Sequence, residues 1–237
     1  MRKLKFGFIG TGAITDLHYL GYKDSDLVEL SAICDTDADL LEKRSKQWNV
    51  KPAYTDYRDL LSNEDIDAVE VITPHHLHAE IGKAALKAGK HVSIQKPMAI
   101  NIPDCDDLID TAERSGKLLR IFENFRYYPP MVKAKQLLDE GSIGEPLSIR
   151  IKVVQGVGGD DWEIPYRRWK WRFDPAQGGE GRVILDYGYH HFSLAIWFMG
   201  DIEKVKAWIT NRTIQNGWIL DSPAVAMWKY KNADKYG

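Results

Sequence analysis

Two glycines near the start of the chain have the spacing of a loop that binds a diphosphate. Residues 8–15 read FIGTGAIT, and they join an apolar run that predicts a strand to a pattern that predicts a helix. Gly10 permits a tight turn, and Gly12 lets the backbone approach a pyrophosphate that the N–H groups and dipole of the helix stabilise. The third position of the G-x-G-x-x-[GA] motif holds Thr15, so the helix must pack around a larger side chain there. The loop predicts cofactor contacts at Gly10, Thr11, Gly12, Ala13 and Ile14.

An acidic residue closes the second predicted strand. Asp35 follows Gly12 by 23 residues, and a carboxylate at this place can accept a hydrogen bond from a ribose 2′-hydroxyl and repels a 2′-phosphate. The sequence therefore favours NAD over NADP as the cofactor. The alternative is that the glycines form ordinary turns and that Asp35 caps the helix that follows it.

Short apolar runs alternate with helical patterns in the first half of the chain. Strands are predicted over residues 4–9, 28–34, 68–72, 91–94 and 118–122, and helices over 13–22, 37–47, 54–61, 77–88 and 103–115. Strands that alternate with helices of this length need right-handed crossovers, which produce a parallel, doubly wound sheet. We therefore predict an α/β fold in which residues 1–122 form a Rossmann dinucleotide-binding domain.

The pattern changes after residue 122. We predict a helix over 131–140, a half-exposed antiparallel strand over 147–153, a loop over 155–182, a helix over 186–199, and strands over 205–210 and 224–230. Residues 123–237 are thus assigned to a substrate-binding α+β domain with a mainly antiparallel sheet. Because a sheet of three strands needs cover, we expect that the chain is truncated, or that this sheet pairs with another subunit in a homo-oligomer. A small sheet packed on its own helices is the alternative.

Three further motifs follow the glycine loop in a fixed order. They are TPHHLHAE at residues 73–80, QKPMA at 95–99 and DYGYH at 186–190. Together with the glycine loop, their order and spacing resemble the Gfo/Idh/MocA family of nicotinamide-dependent oxidoreductases, which includes glucose–fructose oxidoreductase and inositol dehydrogenase. The resemblance extends over essentially the whole chain. It implies hydride transfer between NAD and a ring hydroxyl of a sugar, cyclitol or related polyol.

The resemblance also implies roles for three catalytic residues. Lys96 matches the lysine of the family's E-K-P motif, in which Gln95 here replaces the glutamate, and its bond to Pro97 is expected to be cis. Asp186 and His190 match the family's D-x-x-x-H pair, one helical turn apart. A histidine can accept the hydroxyl proton, and an aspartate can orient it. Lys96 can stabilise developing alkoxide charge or act as the base itself, and the sequence does not choose between these assignments.

Further contacts follow from the same resemblance. The cofactor set gains residues beside the nicotinamide, namely Thr73, Pro74, His75, His78, Lys96 and Asn124. The substrate set includes Lys96, Asp186, His190 and Arg126, and Arg126 either contacts the substrate or ties the domains together.

Basic and aromatic residues interleave between residues 162 and 172. This pattern predicts a substrate loop, in which Trp169 or Trp171 stacks on a sugar and Arg168 or Arg172 binds hydroxyls or a carboxylate. An interdomain or subunit contact is the alternative, since aromatic residues and arginine are enriched at interfaces.

Two other functions are compatible with this resemblance. Some relatives use NAD transiently to cleave glycosides, because oxidation acidifies a neighbouring carbon and elimination follows. A regulatory protein that binds NAD(P) without catalysis is a third hypothesis, and the presence of Lys96, Asp186 and His190 argues against it.

The composition excludes several other classes of protein. The chain has 32 basic and 34 acidic residues and a formal net charge of −2, so we expect no general attraction to nucleic acid or to an anionic membrane. The chain contains no run of ~18 apolar residues, so we expect no membrane span. Its start lacks the apolar core that a signal peptide needs. Cys34 and Cys105 lack metal or redox spacing, and the cluster at residues 75–78 lacks a metal-ligand pattern. We therefore expect a cytoplasmic protein without a metal.

Overall fold

The computed structural model describes residues 2–154, 170–213, 217–231 and 234–237. These residues divide into two units, which are described separately. The first contains residues 2–122 and 170–179, and the second contains residues 123–154 and the described residues from 180 onward. The domain boundary after residue 122 stays a proposal, to which the structure adds that residues 170–179 group with the first unit.

The first unit is built on a six-stranded parallel sheet, as the alternating pattern predicts. Its strands follow the spatial order β3-β2-β1-β4-β5-β6, and they are β1 (Leu4–Ile9), β2 (Val28–Cys34), β3 (Ala53–Tyr54), β4 (Ala68–Val71), β5 (His91–Ile94) and β6 (Leu119–Ile121). The helices are α1 (Ala13–Tyr22), α2 (Ala38–Trp48), α3 (Tyr57–Leu61), α4 (His78–Lys87) and α5 (Ile102–Ser115). The doubly wound Rossmann fold is therefore confirmed. Strand β3 was not predicted, because two residues are too few to show a periodic pattern.

The carboxyl-terminal parts of β1, β2 and β4 are buried and mostly apolar, as strands of a sheet covered by helices are. Phe8, Ile33, Val71 and Ile94 are inaccessible to solvent. Gly82 lets α4 approach β5 closely, because a Cβ at this position would lie 2.7 Å from Cδ1 of Ile94. A rigid packed sheet of this kind fixes the positions of the loops that leave its strands.

The second unit combines helices with a two-stranded antiparallel sheet. Its elements are α6 (Pro129–Asp139), one π-helical turn over Arg182–Tyr187, α8 (Gly188–Met199), β7 (Ile202–Thr213) and β8 (Ile219–Tyr230). Helices together with an antiparallel sheet confirm the α+β class. The two strands are longer than the predicted segments 205–210 and 224–230.

The strand predicted over residues 147–153 is wrong. Only Ser148 forms a strand bridge there, to Tyr236, within the part of the chain that the structure describes. The alternating pattern still has a physical basis, because Ile149 and Ile151 pack on the small core of the second unit. Alternation reports which side chains point inward, whereas a strand also needs a neighbour with a matching row of backbone groups.

The loop predicted over residues 155–182 is wrong where it is described. A 3₁₀ turn covers Lys170–Phe173, and a short helix, α7, covers Pro175–Gly178. Asp174 caps this helix by accepting a hydrogen bond from the N–H of Ala176, and proline at the first helical position suits such a start. The remaining residues of the predicted substrate loop, including Arg168 and Trp169, lie outside the described residues.

Candidate functional site

Four predicted site residues of the first unit follow carboxyl ends of parallel strands. Gly10 follows β1, Asp35 follows β2, Thr73 comes after β4 and Lys96 comes after β5. The carboxyl ends of parallel strands share one edge of a sheet, and strand order reverses between β1 and β4. Ligands of open α/β sheets bind in the crevice at such a switch point. The fold therefore gathers these four segments at the edge where a dinucleotide would bind.

The glycine loop has the geometry that a pyrophosphate requires. Gly10 has φ of 95°, and a Cβ on it would lie 2.2 Å from the carbonyl oxygen of Ile72. Gly12 precedes α1 without a side-chain cap. Among the described residues other than its two chain neighbours, none has an atom within 4 Å of the place where a Cβ on Gly12 would be. The N-terminus of α1 thus has no side-chain cap and has space beside Gly12, as an anion site at a helix N-terminus needs.

Two alanine substitutions separate the roles of these glycines. Gly10→Ala should lower the free energy of unfolding by about 2 kcal/mol or more, because it adds a backbone clash to a strained φ. Gly12→Ala should leave the unfolding free energy within ~0.5 kcal/mol of wild type and weaken NAD binding. Urea unfolding and NAD titration measure the two effects. Equal stability of the two variants would contradict the assignment.

Asp35 is joined directly to the glycine loop. Its Oδ2 accepts hydrogen bonds from the backbone N–H and the hydroxyl of Thr11, at 2.7 and 2.9 Å, and its Oδ1 accepts from the N–H of Asp37 at 3.0 Å. The side-chain cap of α2 is Asp37, not Asp35. A carboxylate offers about four acceptor positions, so Asp35 can hold the loop and still accept a bond from a ribose hydroxyl.

Thr15 fits in place of the motif's third glycine through its own hydrogen bond. The residue is fully buried, and its hydroxyl donates to the carbonyl oxygen of Gly10 at 3.0 Å. The larger side chain therefore fastens the helix to the turn.

Arg44 is a residue of this loop that the sequence analysis missed. It lies on α2 and is 5% exposed, and its guanidinium donates to the carbonyl oxygen of Thr11 and to the carboxylate of Asp16. The guanidinium also lies over the ring of Trp48, 5.0 Å from its centroid. Arg44 thus joins the glycine loop to the first turn of α1 through hydrogen bonds from α2. Its sequence position gives no sign of this role, because a basic residue on a helix is usually solvated.

The segment 73–80 after β4 contains a buried hydroxyl without a hydrogen-bond partner among the described residues. The buried hydroxyl of Thr73 has no hydrogen-bond partner among the described residues, and a buried hydroxyl without a partner is costly. A bound cofactor would supply that partner, so Thr73 fits the predicted cofactor contact. Pro74 lies beside it and begins the turn His75–Leu77.

Two histidines of the segment 73–80, His75 and His78, contact backbone carbonyl oxygens of the protein. Nδ1 of His75 lies 2.9 Å from the carbonyl oxygen of Gly178. The two ring nitrogens of His78 lie 2.7 Å from the oxygen of Pro97 and 2.9 Å from that of Thr73. Burial lowers the pKa of His78 to about 4. A neutral imidazole has one N–H, so His78 donates to one of these two carbonyl oxygens at a time and contacts the other. His78 thus lies between Thr73 and the segment that carries Lys96.

The backbone of Lys96 is constrained on both sides, by a hydrogen bond at its N–H and by a cis peptide bond to the next residue. The Lys96–Pro97 bond is cis, as the resemblance implies. The backbone N–H of Lys96 donates to Oε1 of Gln95 at 2.7 Å. The residue that departs from the E-K-P motif is thus the one that holds the lysine's backbone.

In the second unit, His190 is oriented by a carboxylate that was not predicted. Its Nδ1 lies 2.9 and 3.1 Å from the two oxygens of Glu123, and both residues are buried. Phe125 stacks on the imidazole, with ring centroids 4.2 Å apart and an interplanar angle of 8°. The predicted partner, Asp186, instead lies 3.0 Å from the guanidinium of Arg182.

The physical reason is a change of helix type between Asp186 and His190. The prediction assumed one α-helix, in which a spacing of four brings side chains together. Asp186 lies in the π-helical turn that ends at Tyr187, and a π turn holds more residues than an α turn, so the register between the two side chains changes.

Asp221 supports this turn from strand β8. Its two oxygens accept hydrogen bonds from the N–H groups of Val183 and Ile184, both at 2.7 Å. Gly181, with φ of 89°, lets the carboxylate approach, since a Cβ there would lie 3.0 Å from Oδ2 of Asp221. The buried Asp221 thus fixes the start of the turn that carries Asp186.

The remaining predicted contacts lie within single units. Arg126 donates to the hydroxyl of Ser193 at 3.0 Å and to its carbonyl oxygen at 3.2 Å, which joins two segments of the second unit. Asn124 is exposed. In the first unit, Arg172 lies over the ring of Trp171, which contacts His75.

The described residues contain neither a metal cluster nor a membrane-spanning helix. No group of three or more His, Cys, Asp or Glu side chains there is arranged to hold a metal ion. No helix in that part of the chain has both the length and the apolar composition needed to cross a bilayer.

Comparison with known proteins identifies relatives of both units. Residues 4–123 match the GFO_IDH_MocA family model, described as an oxidoreductase family with an NAD-binding Rossmann fold, and residues 131–235 match the GFO/IDH/MocA C-terminal domain. Levoglucosan dehydrogenase of Pseudarthrobacter phenanthrenivorans is 29% identical over 230 residues, which cover 92% of this chain and 57% of the relative. A glycosyl hydrolase family 109 protein of Shewanella baltica is 34% identical over 181 residues, which cover 73% of this chain and 39% of that protein.

Solved structures agree with these matches. A levoglucosan dehydrogenase in complex with NADH and L-sorbose has a TM-score of 0.86 and 26% identity, and the match covers 100% of this chain and 66% of the other. This chain therefore spans between about two fifths and two thirds of the length of these relatives. The NAD-binding description of the family agrees with the preference for NAD inferred from Asp35.

Proposed function

Because this chain belongs to the Gfo/Idh/MocA family of oxidoreductases, we propose that its protein oxidises a ring hydroxyl of a sugar, cyclitol or related polyol with NAD. The observation that carries the proposal is the edge of the parallel sheet in the first unit. An open helix N-terminus at Gly12, the carboxylate of Asp35, the unpaired hydroxyl of Thr73 and the ammonium of Lys96 all follow its strands. This set of groups suits a pyrophosphate, a ribose and a polarised substrate oxygen.

The first unit's residues bind the cofactor in this proposal. The N-terminus of α1 binds the pyrophosphate, with Thr11, Ala13 and Ile14 beside it, and Asp35 accepts a bond from the adenosine ribose. When bound, the nicotinamide accepts the hydride that leaves the alcohol carbon. Thr73 donates its hydroxyl to the cofactor and so satisfies a buried group.

The proton of the hydroxyl goes to His190 in this proposal. Glu123 accepts the Nδ1–H of His190, which leaves the lone pair of Nε2 to take the proton. This contact supports His190, rather than Lys96, as the base. Lys96 then stabilises the negative charge that develops on the substrate oxygen. Asp186 and Arg126 remain proposed substrate contacts, as do Trp169 and Arg172 on the segment before residue 173.

Screening polyols and sugars with NAD and NADP, while following the absorbance of the reduced cofactor, tests this function. The proposal expects NADH to accumulate with at least one compound, and levoglucosan and L-sorbose are natural first choices because a relative's structures contain them. Failure of the protein to bind any dinucleotide would contradict the proposal.

Removing the charge of Asp35 should change the choice of cofactor. Asp35→Asn keeps an oxygen that can accept from Thr11, but it no longer repels a 2′-phosphate. We expect the ratio of kcat/KM for NAD to that for NADP to fall at least ~10-fold, which corresponds to about 1.4 kcal/mol. Asp39→Asn, an exposed residue on α2, is the matched control. An unchanged ratio in Asp35→Asn would exclude Asp35 as the selecting group.

A second candidate function is glycoside cleavage with transient oxidation. The 34% identity to a glycosyl hydrolase family 109 protein favours it as the alternative. Net reduction of NAD separates the two functions, because a dehydrogenase accumulates NADH, whereas a transient oxidation returns the hydride. Release of a sugar without net NADH would favour the second candidate.

We also propose a cytoplasmic homo-oligomer that assembles through the C-terminal sheet. Apolar side chains of β7 and β8 are exposed, among them Trp208 at 54% and Met227 at 57%, and such a face favours association. Cys34 and Cys105 are free thiols, which suits a reducing compartment. Sedimentation of the purified protein measures the oligomer.

A further inference from the structure

A row of polar side chains, buried or half-buried, leads to the backbone of Lys96. It connects Glu70 on β4, His18 on α1 and Gln95 at the end of β5. Nδ1 of His18 contacts Oε1 of Glu70, and Nε2 of His18 lies 3.0 Å from Nε2 of Gln95. The side chains of His18 and Glu70 are 9% and 3% exposed. The row ends where Oε1 of Gln95 accepts the N–H of Lys96.

The hydrogen bonds of this row allow one assignment of protons. Oε1 of Gln95 already accepts from Lys96, so its amide NH₂ is the group that faces His18. An NH₂ group can only donate, and Nε2 of His18 must therefore accept. The proton of a neutral imidazole then resides on Nδ1, where it is donated to Glu70. Every polar group in the row is paired when His18 is neutral.

A glutamate at position 95 would change that assignment. Both of its oxygens accept, so one would bind the N–H of Lys96 and the other would need a proton from Nε2 of His18. His18 would then carry two protons between two carboxylates. The glutamine that distinguishes this chain from the E-K-P motif thus matches a neutral histidine.

We propose that Gln95 and His18 are positioning residues, which couple the backbone of Lys96 to Glu70 and keep His18 in the neutral Nδ1–H form. They act through Lys96, so their effect on turnover rests on the proposed function. The protonation of His18 does not rest on it, because it follows from the hydrogen bonds of the free protein.

The surroundings of His18 include other charged or titratable groups. Burial, reinforced by the negative charge of the nearby Glu70, raises the pKa of Tyr22 on α1, so its hydroxyl keeps its proton. The ring of Phe122 meets the imidazole of His18 edge-on, with ring centroids 4.5 Å apart. The guanidinium of Arg120 lies over the ring of Phe122, 5.0 Å from its centroid. Glu70 is the carboxylate that contacts Nδ1 of His18.

Nitrogen NMR of the side chains tests the inference directly. Imidazole ¹⁵N shifts distinguish the neutral tautomers from the imidazolium, and His18→Gln identifies the signal of His18. In the wild-type protein we expect a protonated Nδ1 and an unprotonated Nε2 at neutral pH. In Gln95→Glu we expect both nitrogens to be protonated. A proton on Nε2 in the wild type, or an unchanged His18 signal in Gln95→Glu, would overturn the proposal.

Kinetics of two variants test the positioning role. Gln95→Ala removes the acceptor for the N–H of Lys96, and we expect kcat to fall about 10-fold or more with the dissociation constant of NAD within ~2-fold of wild type. Gln95→Glu restores that acceptor and should recover most of the lost kcat. Equal loss in the two variants, or loss of NAD binding with kcat, would overturn the positioning role. An inactive wild type would instead contradict the proposed function, while the NMR outcome still decides the state of His18.

Discussion

Lys96→Ala should lower kcat for sugar oxidation by about 10²–10³-fold and leave the dissociation constant of NAD within ~3-fold of wild type. The reason is that a fixed ammonium group stabilises the alkoxide only as charge develops on the substrate oxygen, so its loss affects the transition state more than binding. Stopped-flow measurement of NADH formation, together with NAD titration, checks both quantities.

A matched control uses another lysine of the first unit. Lys87 is exposed at the end of α4, and Lys87→Ala should keep kcat at the wild-type value. Turnover that survives in Lys96→Ala within a factor of ~3 would remove the electrostatic role given to Lys96.

Glu123→Gln should lower kcat about 10²-fold or more while the protein stays folded. The amide NH₂ of a glutamine at 123 can donate to Nδ1 of His190, which moves the ring proton to Nε2 and removes the lone pair that accepts the substrate proton. Loss of a general base typically lowers the rate 10²–10⁴-fold, and the expected fall in kcat lies in this range. Steady-state kinetics and thermal unfolding measure the effect.

The coupling between Glu123 and His190 gives a sharper version of this prediction. If both residues act as one unit, adding Glu123→Gln to His190→Asn should cause little further loss. The kcat of the double variant should then lie within ~3-fold of the kcat of His190→Asn. Glu113→Gln, an exposed change on α5, serves as the control. Additive losses, or wild-type kcat in Glu123→Gln, would show that the carboxylate does not orient the base.

The sequence predicts the first unit well because its signals are local. Most strands lie within short segments rich in apolar residues, and the glycine loop and Asp35 lie directly at strand ends. Even the cis form of the Lys96–Pro97 bond is predicted by a short motif, QKPMA at residues 95–99. Local periodicity and turn chemistry therefore suffice for the parallel sheet and for the loops that leave it.

The supporting residues could not be predicted, because their partners are distant in sequence. Glu123 and His190 are 67 residues apart, His18 and Glu70 are 52 apart, and Asp221 and Val183 are 38 apart. Periodicity carries no information about such pairs. The π-helical turn before α8 is similarly invisible, because it differs from an α turn only in its hydrogen bonds.

A structure of the protein with NAD and the sugar found in the screen tests the central claim most directly, through two distances. The account predicts that Nζ of Lys96 and Nε2 of His190 both lie within about 3.2 Å of the same substrate oxygen, with the carbon that bears it facing the nicotinamide. It is contradicted if the two side chains contact different parts of the substrate, or if either one points away from the nicotinamide ring.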